Sequence, residues 1–133
     1  MITDVVVLGR QLICLFILAI PIASVAWTVT HEEVFREPRE YCMEKSKSCR
    51  SIFERKAFYL FTCEYCLSHY VTAAFLVLTR YKLMFDDRRG YLIAEFALVW
   101  VANVLMGLFA KLRVEIKAEK LEIAAAEAAA EKG

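Results

Sequence analysis

This sequence contains few glycines and prolines and carries almost no net charge. Each of these features argues against particular structures or functions. Only four of the 133 residues are glycines, and none of them belongs to a phosphate-cradling glycine loop. A net charge of +1 gives no global basic field, so composition does not support nucleic-acid binding. Of the two prolines, Pro21 is tolerable inside an apolar segment with a mild kink, whereas Pro38 should break any helix in the polar segment that follows.

Apolar residues are abundant instead. They make up 59% of the chain, and a mean hydropathy of +0.45 is too high for an ordinary soluble domain. Three runs, at residues 5–27, 57–81 and 91–112, each exceed the roughly 20 residues that a spanning helix needs. We therefore predict an all-α membrane protein with three transmembrane helices.

The domain organisation follows from the positions of these runs. We expect an N-terminal transmembrane helix at 1–27, a polar cysteine-containing loop at 28–56, a transmembrane helical hairpin at 57–112 and a helical tail at 113–133. The run from Asp86 to Gly90 suits a tight turn between helices two and three, which makes these two spans antiparallel neighbours.

The first apolar run has a second interpretation, a cleaved signal peptide over residues 1–26. Small residues from Ala23 to Ala26 resemble a cleavage site. Against this, Asp4 makes the leading end only weakly basic, Arg10 lies within the run, and the run continues far enough to span. These features favour a membrane anchor.

The loop at 28–56 carries interleaved charges of both signs, typical of a solvated face. Ser51 followed by Glu54 predicts a capping box that starts the second helix. Lys and Arg counts set the orientation: twelve fall in this loop and the tail, against five on the other side. The N-terminus is therefore expected outside, with the loop and tail in the cytoplasm, most simply at a bacterial inner membrane.

Five cysteines are an odd number, and Cys14 lies in an apolar run where a small core residue is expected. The remaining four form the candidate metal or disulfide set: Cys42, Cys49, Cys63 and Cys66. Four thiolates suit a tetrahedral zinc site on a reducing face, and two disulfides would tie the same segments together on an oxidising one. A thiol redox pair at Cys63-x-x-Cys66 is a third alternative.

Ionisable and amide groups inside the apolar runs are costly and therefore functional or paired. They are Glu64, His69, Glu95 and Asn103. His69 has three possible roles: a hydrogen bond to Glu95 of the neighbouring helix, ligation of a metal, or binding of a porphyrin-like pigment. Glu64, Glu95 and Asn103 are expected to make packing or partner contacts rather than a proton path.

The tail is rich in strong helix formers and should extend the third helix into water. An apolar seam with heptad-like spacing runs along it at Val114, Ala118, Leu121 and Ala125. This seam predicts contact with a partner helix, although an alanine-rich helix that frays at its end has the same composition.

The segment CEYCLSHYV, residues 63–71, resembles the signature of a family of small bacterial and phage membrane proteins labelled domain of unknown function 1360. Cys63, Tyr65, Cys66 and Ser68 match it, with Glu64 where that family usually has proline. Another match is Tyr70, at a position where tryptophan is usual. The resemblance implies that a Cys-x-x-Cys pair opens a transmembrane helix, and it implies no reaction.

The sequence as a whole favours a structural or accessory subunit over an enzyme. Its expected partners are the lipid bilayer and a larger membrane complex or further copies of itself. Two alternatives remain: a membrane metal-binding or thiol-redox module with zinc as cofactor, and a phage pore or lysis-related protein.

Overall fold

The computed structural model describes residues 5–133, so Asp4 and the other first residues of the predicted anchor lie outside the described residues. Over this range the chain is helical and contains no strand, which confirms the predicted all-α class. The elements are α1 Val5–His31, a 3-10 turn Glu33–Phe35, α2 Arg36–Ser48, α3 Ile52–Leu60, α4 Glu64–Thr79 and α5 Arg88–Lys132.

Helices α1, α4 and α5 pack together as a three-helix bundle. Its core is built from residues of all three helices: Ala19, Ile22 and Ala26 from α1, Leu76 from α4, and Ala94, Leu98, Ala102 and Met106 from α5. Alanine at the contacts lets the helix backbones approach closely, as in membrane bundles. Large apolar side chains on the outside stay exposed, as Trp100 does at 71%. Helices α1 and α5 are each long and apolar enough to cross a membrane.

The two ends of the bundle differ in what they carry. At one end, Tyr81 Oη donates to the carbonyl oxygen of Gln11 over 2.7 Å, and the Met84 amide donates to Gln11 Oε1 over 3.1 Å. The start of α1 therefore lies beside the link between α4 and α5. At the other end, His31 lies beside Glu64, so the polar helices α2 and α3 and the tail of α5 share that end.

The predicted continuous span over residues 57–81 is wrong in one respect: the chain breaks it into α3 and α4, which are bent by 80°. At the end of α3, the Thr62 amide donates to the Tyr59 carbonyl three residues back, as in a tightened last turn, and the Cys63 amide donates to the same carbonyl. The Thr62 hydroxyl also donates to that carbonyl over 2.7 Å. The described chain thus has two candidate spans, or three if the bent pair counts as one.

The polar segment was expected to be a loop, but it forms a pair of packed helices, α2 and α3. Tyr41 of α2 meets Phe58 of α3 edge to face at 6.3 Å. The expectation that Pro38 breaks any helix is also wrong, since Pro38 lies in the first turn of α2, where an amide has no intrahelical partner anyway. Helix α3 follows Ser51 as predicted, although the Ser51 side chain makes no capping hydrogen bond.

The link between α4 and α5 covers residues 80–87. Helix α5 begins earlier than expected, at Arg88, so the last three residues of the predicted turn, Arg88 to Gly90, belong to the helix. Asp87 caps α5 by accepting a hydrogen bond from the Arg89 amide over 3.0 Å. Arg80 and Met84 both adopt left-handed conformations in the link. From Arg88 the helix runs without interruption to Lys132, 45 residues that extend roughly 67 Å.

Candidate functional site

The break between α3 and α4 places two thiols at the start of a helix. Cys63 is the N-cap residue of α4, and its Sγ accepts a hydrogen bond from the Cys66 amide at 3.4 Å. Both side chains are half-buried and both are free thiols. The sequence placed this pair on one face of a continuous helix, whereas the structure puts the first thiol outside the helix as its cap.

The other cysteines do not join this pair. Cys42 lies within α2 and Cys49 follows its last residue, so about two helical turns separate them. Within residues 5–133, no three His, Cys, Asp or Glu side chains are grouped as a metal site. The expectation that Cys14 is a core residue is wrong: it is exposed, because the neighbouring positions Leu15 and Ala19 supply the buried face of α1.

His69 and Glu95 form a pair between α4 and α5 within the apolar part of the bundle. His69 Nδ1 lies 3.3 Å from Glu95 Oε1, and their side chains are only 28% and 18% exposed. The rings of Tyr65 and Phe96 flank the imidazole edge to face at 5.0 and 5.9 Å. This hydrogen bond is the first of the three roles that the sequence offered for His69.

About two helical turns beyond Glu95 along α5, Asn103 links the same two helices. Its Nδ2 donates to Ser68 Oγ over 3.0 Å and to the Val99 carbonyl over 2.7 Å. Ser68 and Thr72 are both fully buried. Ser68 and Asn103, with the His69–Glu95 pair, thus form an interhelical polar strip whose hydrogen bonds replace water that the surroundings exclude. Among the described residues, the buried Thr72 hydroxyl has no hydrogen-bond partner.

Glu64 lies apart from this strip, at the end of the bundle. Its Oε2 lies 3.5 Å from Nε2 of His31, the last residue of α1. His31 stacks on Trp27 with ring centroids 4.0 Å apart. Sequence reasoning missed the stacking of Trp27 on His31, although their spacing of one helical turn was a signal that could have found it.

The same end of the bundle has a cleft of about 370 Å³ between α1 and α5, lined mainly by apolar residues such as Ile20, Leu105 and Phe109. The Glu32 side chain lines the polar edge of this cleft. The Glu32 Oε1 atom accepts from Trp27 Nε1 over 3.0 Å and pairs with Arg113 Nη2 at 3.4 Å. These contacts fix the first residues beyond α1 against α5.

The predicted seam of the tail is helical and entirely exposed, since every residue from Lys111 onward is exposed. Val114 is 67% exposed and Leu121 is 64% exposed. A second apolar stripe, which sequence reasoning missed, carries Ile116 and Ile123 on the opposite face, at 50% and 59% exposure. Their spacing of seven residues is the signal that could have revealed it.

These observations define the class of protein: over residues 5–133 the fold is all-helical, and two to three of its helices are long and apolar enough to cross a membrane. No family model, curated protein or solved structure matches the chain.

Proposed function

We propose that this chain is a small integral membrane protein that acts as a structural or accessory subunit of a larger membrane complex or of its own oligomer. The observation that carries the proposal is the free part of α5. Its last residues, from Val114 to Lys132, extend roughly 28 Å beyond the bundle, and no other element of residues 5–133 covers them. Two exposed apolar stripes on such a helix favour contacts with other helices over an isolated existence in water.

A topology with three spans supports the same proposal. In it, α1, α5 and the α4 part of the bent pair cross the membrane, and α4 and α5 form the antiparallel hairpin. The N-terminal end and the 80–87 link lie outside, while α2, α3 and the tail lie on the cytoplasmic side of a bacterial inner membrane. Support comes from the basic residues, five at the first end against twelve at the second. The resemblance of residues 63–71 to the family labelled domain of unknown function 1360 stays a prediction.

The partner contact is tested by native electrophoresis of gently solubilised membranes. The chain should migrate in a complex much larger than its own 15.3 kDa. The double variant Val114→Gln with Leu121→Gln should release it, because both substitutions remove apolar seam contacts. The matched control carries Glu115→Gln and Glu122→Gln, each one residue further along the helix, and should stay assembled. A monomeric wild-type chain would contradict the proposal.

A second function, a thiol-redox or zinc-binding module, is favoured by one observation, the hydrogen bond between Cys63 Sγ and the Cys66 amide at 3.4 Å. A helix N-terminus stabilises a thiolate, which is the reactive and metal-binding form. Thiol titration of the purified chain, together with elemental analysis for zinc, tests this function. One zinc released with four thiols supports the metal site, and five free thiols without metal that do not cycle under mild oxidant exclude both roles.

A further inference from the structure

The proposed accessory role explains neither the orientation of helix α3 nor its exposed apolar surface. Helix α3 meets α4 at a bend of 80°. If α4 crosses the bilayer as the proposed third span, α3 lies nearly parallel to the membrane plane, at the level where α4 begins. A short helix at this level is in the headgroup region, where amphipathic helices bury their apolar face by about 5–10 Å.

The face of α3 that looks into the bend is apolar. A groove of about 820 Å³ occupies the inside of the elbow, lined from α3 by Phe53, Lys56 and Leu60 and from α4 by His69 and Tyr70. Phe53 is 87% exposed, the largest exposure among the big apolar side chains of the described residues. The opposite side of α3 is covered, since Phe58 contacts Tyr41 of α2. The open apolar side therefore points towards the bilayer, and α2 lies on the water side.

Basic groups surround this face. Residues 45–56 contain five Lys or Arg and one Glu, whereas residues 32–44 contain two Lys or Arg and five Glu. Lys47, Arg55 and Lys56 line one groove of about 610 Å³ together with Tyr59. That groove shares Lys56 and Tyr59 with the apolar groove of the elbow. Lysine stems that cross apolar surface, with a tyrosine beside them, are the side chains that suit a lipid headgroup layer.

We propose that α3 is an interfacial helix and that the elbow between α3 and α4 binds an anionic phospholipid. The acyl chain packs against Phe53, Leu60 and Tyr70, and the phosphate contacts Lys47, Arg55 and Lys56. The inference rests on the proposed third span and is independent of the tail's partner, so the electrophoresis experiment above tests a separate point.

The position of α3 is tested by adding a tryptophan to the full chain, either Phe53→Trp on the elbow face or Glu54→Trp as the neighbouring control. Each protein is reconstituted in vesicles of phosphatidylcholine and phosphatidylglycerol whose acyl chains are brominated. The native Trp27 and Trp100 contribute equally to both variants. The added fluorescence at position 53 should be quenched several times more strongly than that at position 54. Equal quenching at both positions would overturn the proposal.

Headgroup selectivity is measured by electron spin resonance with spin-labelled phosphatidylglycerol and phosphatidylcholine. The wild-type chain should immobilise the anionic lipid preferentially. The triple variant Lys47→Gln, Arg55→Gln and Lys56→Gln should lower this preference by at least about fivefold. That is the change in affinity expected from removing even one basic group near an anionic surface. The control neutralises Lys117, Lys120 and Lys132 in the tail and should keep the preference.

A wild-type chain with no preference for phosphatidylglycerol would overturn the proposal without any variant. A preference that the tail control abolishes, and the α3 variant does not, would assign the anionic lipid to another part of the chain and would also refute it. Should the α3 variant fail to fold, high salt applied to the wild type replaces it, because screening must weaken a headgroup contact made by exposed basic groups.

Discussion

Replacing Gly90 with alanine should destabilise the bundle, although alanine is the better helix former. Gly90 is buried in the first turn of α5, and a Cβ there would lie 1.9 Å from the carbonyl oxygen of Phe85 and 3.1 Å from Lys82 Cβ. The Phe85 oxygen is backbone, so the link itself must move. That movement would disturb Leu83, which is buried in the core and whose amide donates to the Gly90 carbonyl over 3.2 Å.

The size of the effect follows from two opposing contributions. Overpacking of this kind costs about 1–3 kcal/mol, and the direct approach to backbone places Gly90→Ala at the upper end. The gain in helix propensity returns about 1 kcal/mol. A net loss of about 2 kcal/mol in the free energy of unfolding is expected.

The same substitution elsewhere in α5 provides the control. An added Cβ at Gly107 meets nothing within 4 Å, so Gly107→Ala should stabilise the chain by about 0.5–1 kcal/mol. Equilibrium unfolding in mixed micelles with increasing sodium dodecyl sulfate, followed by circular dichroism, measures both variants. A Gly90→Ala chain as stable as Gly107→Ala would refute the close approach of the link to α5.

Two further predictions concern the polar contacts. A double-mutant cycle of His69→Ala and Glu95→Ala should give a coupling of about 0.6–1 kcal/mol, as for interhelical hydrogen bonds in membranes. His69→Ala combined with Glu122→Ala in the tail should be additive, and zero coupling in the first cycle would disprove the pair. The pKa of Asp87 is held below its usual value because Arg89 donates hydrogen bonds to its carboxylate. Wild type should therefore be more stable than Asp87→Asn above the ordinary pKa of 3.8, with the difference lost as the pH falls through the lowered pKa of the folded state. A difference that persists in acid would contradict this assignment.

The candidate residues show how far sequence reasoning reached. The His69 and Glu95 contact was foreseeable because a short link makes α4 and α5 antiparallel neighbours. His69 lies about three turns before the link and Glu95 about two turns after it, so the two side chains come to similar heights. By contrast, the sequence did not reveal that the four candidate cysteines lie in more than one place. Cys42 lies on α2, a helix that Pro38 was expected to break, and Cys49 directly follows it. Within residues 5–133 neither of them joins Cys63 and Cys66 in a metal-site group.

Composition and periodicity determined the helical class, the apolar segments and the helical tail, because these depend on local propensity and on the length of apolar runs. The tertiary structure alone decided three other features. One is the break at residues 61–63, where the Thr62 amide, the Thr62 hydroxyl and the Cys63 amide all donate to the carbonyl of Tyr59. Another is the contact of His31, which stacks on Trp27, with Glu64, a residue far away in the chain. The third is the direction of α3, since an apolar run has the same composition whether it continues straight or turns by 80°.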